Sequence, residues 1–129
     1  MILYKLGSIR TNNFNDPEIM KKIGSMWENV FNKYDIENAN MYAVYEEYES
    51  DYKGDYTLSL YTTKEYDADT IEVSLNDMTL YRCENREEIP KVWAKIWEDE
   101  EQNIIERKYD RDFEQYNSDN TINILISTK

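Results

Sequence analysis

Apolar residues recur along this chain with two periods, and the periods change over in the same order twice. Ile2 to Thr11 is an extended, half-apolar stretch that reads as a strand. Asn15-Asp16-Pro17-Glu18 then supplies a helix start, because proline near the first helical position loses no hydrogen bond and acidic groups favour the positive end of the helix dipole. The helix should run to about Lys33: Ile19, Ile23, Met26, Trp27, Val30 and Phe31 fall at three- and four-residue steps, the stripe that packs on a sheet. Met41 to Ser50 and Tyr56 to Thr63 are rich in tyrosine, valine, leucine and threonine, and Asp51-Tyr52-Lys53-Gly54-Asp55 between them is a turn, which together make a hairpin.

The second part repeats the order. Ile71 to Leu75 reads as a short strand, Asn76-Asp77 as a turn, and Met78 to Cys83 as a strand leading to a helix over Glu87 to about Gln102, with Pro90 after an acidic run. Ile104 to Tyr116 and Thr121 to Ser127 close the chain as a hairpin around Asn117-Ser118-Asp119-Asn120, four turn-forming residues. The expected fold is α+β: one domain over residues 1–129, built of two strand-helix-strand-strand repeats, about 1–65 and about 71–129, with two helices on a curved antiparallel sheet.

Residue matches support the duplication. A shift of seventy sets Glu18, Ile19, Lys21 and Trp27 on Glu88, Ile89, Lys91 and Trp97, with Met26 on Ile96. A shift of sixty-eight sets Tyr45-Glu46-Glu47-Tyr48 on Phe113-Glu114-Gln115-Tyr116. Two matched halves imply a pseudo-two-fold axis with a groove along it. In both tetrapeptides the aromatics are three apart, whereas a regular strand puts alternate residues on one face, so a bulge in each hairpin would turn both rings the same way. Glu46 reads as an ordinary surface glutamate.

Composition narrows the chemistry. There is no histidine, which excludes Ser-His-Asp and Cys-His catalysis and HExxH zinc sites, and leaves carboxylates and tyrosines as the reactive groups. No calcium-loop spacing occurs, so neither a metal nor another cofactor is expected. Twenty-seven acidic against 15 basic residues give a net charge of −12, which repels nucleic acid and anionic membranes and favours cationic partners. One cysteine, Cys83, and no long apolar run point to a soluble cytoplasmic protein. Twelve tyrosines and three tryptophans are many for 129 residues; on their helix stripes Trp27 and Trp97 are expected in the core, with Trp93 at the core or the groove rim.

Three motifs point to a family. Tyr45-x-x-Tyr48-Glu49-Ser50-Asp51-x-x-Gly54-x-Tyr56, Trp93-x-x-Ile96-Trp97 and Arg107-x-Tyr109-x-x-Asp112-Phe113-Glu114-x-Tyr116 resemble the GyrI-like small-molecule-binding family, the effector-binding domain of bacterial multidrug-responsive transcription regulators, in a standalone form. The early Arg10-Thr11-Asn12 is similar too, while the glycine of the family's proline-alanine-glycine turn is missing from Leu75-Asn76-Asp77-Met78. The resemblance implies a central groove that takes amphipathic, cationic or aromatic molecules, with Glu114 as the acidic pocket residue and Tyr45, Tyr48, Tyr109, Tyr116 and Trp93 as ligand-binding walls. It implies two alternatives as well. One is a hydrolase of strained cyclopropanoid electrophiles that uses Glu114 as base or nucleophile. The other is an acidic protein that binds a basic partner such as gyrase.

Overall fold

The computed structural model describes residues 1–36 and 40–129. In chain order the elements are β1 (Ile2–Thr11), α1 (Ile19–Lys33), β2 (Met41–Glu46), β3 (Tyr56–Thr62), β4 (Thr70–Glu72), β5 (Thr79–Cys83), α2 (Ile89–Glu101), β6 (Asp112–Tyr116) and β7 (Ile122–Ile126), with a 3-10 turn at Arg86–Glu88 running into α2. The fold is α+β, as expected. All strands join one antiparallel sheet in the order β4-β1-β3-β2-β6-β7-β5. Without the short edge strand β4 the order reads the same from either end, β1-β3-β2 mirroring β5-β7-β6. The axis passes through the seam where β2 pairs with β6 and Val44 lies opposite Phe113.

Each helix rests on the outer part of its own half, α1 on β1 and α2 on β5, which leaves a groove between them over the seam. Asp16 fixes where α1 begins. Its carboxylate accepts Lys22 Nζ at 2.6 Å, Thr11 Oγ1 at 2.7 Å and the Glu18 amide at 2.9 Å, so the end of β1 and the first turn of the helix share one anchor. Those bonds, the one from Lys22 foremost, hold the Asp16 carboxyl down to about 2. β1 shifts register between Lys5 and Gly7, and α1 packs close there: a Cβ on Gly7 would lie 3.3 Å from Val30 Cγ2.

The sheet is covered on both faces. Toward the helices, Met26, Val30, Ala43, Leu58 and Leu60 form one cluster and Cys83, Trp93, Ile96, Ile122, Ile124 and Ile126 another. Cys83 is fully buried beneath α2, and burial pushes its thiol up to about 11. On the far face Tyr42, Val44, Tyr61, Phe113 and Leu125 are covered by Val73, Leu75 and Met78, the segment that follows β4. Among the described residues no helix is long and apolar enough to cross a membrane.

Several expectations are corrected. Residues 104–111 are not strand; β6 starts only at Asp112, and the stretch before it touches the sheet through a single bridge, Arg107 to Thr128. β2 stops at Glu46, because Glu47 turns into the left-handed region with φ 52°. Phe31 lies off the packed stripe and is 60% exposed. Glu46 is buried on the far face, accepting the Tyr61 hydroxyl at 3.1 Å with Arg111 3.9 Å away. The helices do match at a shift of seventy, since Met26 and Ile96 are both buried. The hairpins do not match at sixty-eight: Tyr45 faces the helices and Phe113 faces away.

Candidate functional site

The cleft between the helices has a volume of about 360 Å³. Ile19, Met20 and Ile23 of α1 form one wall and Ile89, Pro90, Trp93 and Trp97 of α2 the other. Tyr45 and Tyr56 form the floor, Tyr48 and Tyr52 come from the chain after β2, and Arg107 supplies the charged side chain among the lining residues. Their presence on one surface follows from local backbone. Alternation within β2 aims Tyr45 at the helices, and the left-handed Glu47 then adds half a turn of chain, so Tyr48 aims the same way despite the three-residue spacing. The expected break thus occurs in the first hairpin. In the second, β6 stays regular: Asp112, Glu114 and Tyr116 face the helices and Phe113 the far side.

Glu114 lies under the floor, 3% exposed. One carboxylate oxygen accepts the Tyr45 hydroxyl at 2.7 Å and the Trp93 indole N–H at 2.7 Å, and the other accepts the Tyr116 hydroxyl at 2.6 Å. All three donors are neutral, and among the described residues no basic side chain forms an ion pair with Glu114. Burial, with Glu114 next in importance, pushes the Tyr45 and Tyr116 hydroxyls well above the usual tyrosine value, so both remain donors at neutral pH. A hydroxyl or N–H donating to a carboxylate makes its ring more electron-rich. Tyr45 and Trp93, whose ring centroids are 4.8 Å apart, therefore bring the influence of Glu114 to the cleft.

A second carboxylate is already matched. Asp112 is fully buried, accepts Arg107 Nη2 at 2.7 Å, the Ser127 amide at 2.9 Å and the Ser127 hydroxyl at 3.2 Å, and also takes the Tyr48 hydroxyl. The Arg107 guanidinium lies 4.3 Å from the Tyr109 ring centre and 5.8 Å from those of Tyr48 and Trp93. Burial is the largest influence and works against its charge, but Asp112 together with Tyr48 and Tyr109 outweighs it, so the guanidinium is held protonated. Tyr109 has φ 56°, a conformation that costs a tyrosine on the order of 1 kcal/mol and is held by the Arg107 stack and by a hydrogen bond to Glu100.

Of the residues expected at the site, Tyr45, Tyr48 and Trp93 line the cleft, Glu114 and Tyr116 lie beneath it, and Tyr109 supports Arg107 from behind. Trp97 is half-buried: it packs against the core cluster under α2 and also stacks on Tyr52 at 5.2 Å, with Phe14 at 5.4 Å, where it lines the cleft. Trp27 is half-buried, edge-on to Tyr116 at 5.4 Å. Tyr52, Tyr56 and Arg107 were not among the expected wall residues. The five-residue interval from Arg107 to Asp112 within an aromatic motif was the available signal for the last. A larger depression of about 740 Å³ on the far face is open and lined by Glu46, Glu72, Asp77, Lys108, Asp110 and Arg111, a surface suited to solvent. Among the described residues no cluster of side chains is arranged to hold a metal ion.

Comparison with known proteins adds to the fold. No protein-family model matches the chain, and no curated protein matches it. A solved structure, an integron cassette protein from the mobile metagenome of Vibrio cholerae, is similar to it with a TM-score of 0.78 and 22% identity, over 99% of this chain and 89% of that one. At that identity the likeness establishes the architecture alone.

Proposed function

We propose that this protein is a small-molecule-binding domain whose interhelical cleft takes a flat, amphipathic aromatic cation, in a sensing or sequestering role. The observation that carries the reading is the buried Glu114, matched among the described residues only by neutral donors, two of which, Tyr45 and Trp93, line the cleft. Arg107 and Asp112 cancel as a pair, so Glu114 is the uncompensated charge at this site. An aromatic cation between the helices would gain apolar contact with Ile19, Ile23, Ile89 and Trp97. It would also gain roughly 0.5 to 2 kcal/mol from each desolvated ring face it meets. Contact with Glu114 itself is not required, because Tyr45 and Trp93 transmit its charge. A hydrolase would need Tyr45 or Trp93 to withdraw before either Glu114 oxygen could attack a substrate, and binding needs no such movement.

Quenching of tryptophan fluorescence by 2-(aminomethyl)naphthalene and by the neutral 2-naphthalenemethanol tests the reading. The ammonium should bind about tenfold more tightly, and Glu114→Gln should remove most of that difference, about 1 kcal/mol. Equal affinity for the charged and neutral compounds would sink it.

A further inference from the structure

Arg107 is buried, 4% exposed, yet its hydrogen-bonding capacity is largely unspent. Nη2 is committed to Asp112 at 2.7 Å, whereas Nε and Nη1 have no partner among the described residues. Stacking on Tyr109 occupies a face of the guanidinium and leaves the in-plane N–H groups in need of acceptors. Buried guanidinium donors are nearly always paired in folded proteins, and because Nε and Nη1 are closed to solvent here, a ligand can supply the missing acceptor only by displacing part of the cleft wall as it enters. Arg107 is part of that wall, beside Tyr48 and Trp93.

The cleft is therefore polarised around Trp93. The Trp93 indole N–H, with Tyr45 packed beside the ring, leads to Glu114, and the partly unpaired guanidinium lies 5.8 Å from the same ring centre. A ligand whose positive charge lay against Arg107 would be repelled, and one that met it with only hydrocarbon would leave both donors desolvated and unpaired. Resting on the proposed binding of an aromatic cation in this cleft, we infer that the ligand is bipolar: a flat aromatic carrying a cationic group at one end and a neutral hydrogen-bond acceptor, such as a carbonyl, at the other. Arg107 reads the acceptor and sets the orientation, while the Tyr45 and Trp93 rings take the cation.

Three probes test this on the whole chain by tryptophan quenching: 2-(aminomethyl)naphthalene, its 6-acetyl derivative, and 2-acetylnaphthalene. The acetylated amine should bind at least about tenfold more tightly than the plain amine, the gain of one hydrogen bond to a charged donor. In Arg107→Lys, which can still pair with Asp112 but lacks Nε and Nη1, the two amines should bind with equal affinity, whatever the substitution does to the affinity they share. Equal affinity of the two amines for the unaltered protein overturns the inference and leaves the cation-binding reading intact, and this comparison decides the matter even if the lysine variant does not fold. An advantage that survives in Arg107→Lys overturns the assignment to Arg107. Binding of the neutral ketone as tightly as the acetylated amine, or binding of none of the three, overturns the cation-binding reading and the inference with it.

Discussion

Glu114 receives three hydrogen bonds, two of them from Tyr45 and Trp93, which also line the cleft, so those two side chains serve stability and recognition together. Tyr45→Phe separates the two roles because it keeps the ring and removes the donor. It should lower unfolding stability by about 1 to 3 kcal/mol, read from urea denaturation, because the lost bond is to a buried carboxylate. The tyrosine hydroxyls of the site also fix a direction of pH dependence. Burial raises Tyr45, Tyr48 and Tyr116 above their unfolded value of 10.0, so the folded state favours their protonated forms. That contribution is complete below about pH 10 and is lost as pH rises through the folded values. Thermal denaturation should show the midpoint falling above about pH 10, with a shallower fall in Tyr45→Phe.

At the scale of elements, single residues set the boundaries. Asp16 ties β1 to the first turn of α1, and its carboxyl is depressed to about 2 from an ordinary 3.8. The stabilisation is thus present above about pH 4 and disappears as pH falls toward 2. Asp16→Ala should lower the melting temperature at neutral pH and converge with the unaltered protein near pH 2. Glu47 ends β2 in the left-handed region, where a side chain costs about 1 kcal/mol and glycine costs nothing sterically. After the entropy that glycine adds to the unfolded chain, Glu47→Gly should raise the urea-derived stability by about 0.5 kcal/mol, and no gain would mean that strain is not stored there.

The same elements show what the sequence makes legible. Helix periodicity and the proline-acidic starts place α1 and α2 correctly, because those signals are local. Strand length is read too long wherever one residue leaves the β region without glycine: Glu47, and Tyr109 within the stretch expected to be strand before β6. Glu114 and three of its wall residues are found through motifs. Tyr52 lies outside the motif positions, and Tyr56 and Trp97, though inside them, are not read as wall, because the place of these residues in the cleft depends on contacts between residues far apart in the chain, such as Tyr52 on Trp97. Arg107 and Asp112 sit inside a recognised motif, but only their pairing in space reveals that one carboxylate is neutralised and the other is not.

The whole molecule depends on the β2–β6 seam, the ladder that joins the two halves of the sheet. Each half has a cluster beneath its own helix, but Tyr42 and Val44 of one and Phe113 and Leu125 of the other bury a common cluster across the seam, so neither half can open without exposing it. Far-ultraviolet dichroism and tryptophan fluorescence should therefore report one coincident unfolding transition, and separate midpoints would show that the halves melt independently. The lone thiol turns this cooperativity into a clock. Cys83 sits at zero exposure under α2 in a protein with no other cysteine, so a disulfide reagent can react only at the instants when the second half opens. The rate of that single labelling event counts those openings, and a molecule that braces α2 against α1 should slow it in proportion to how tightly it is held.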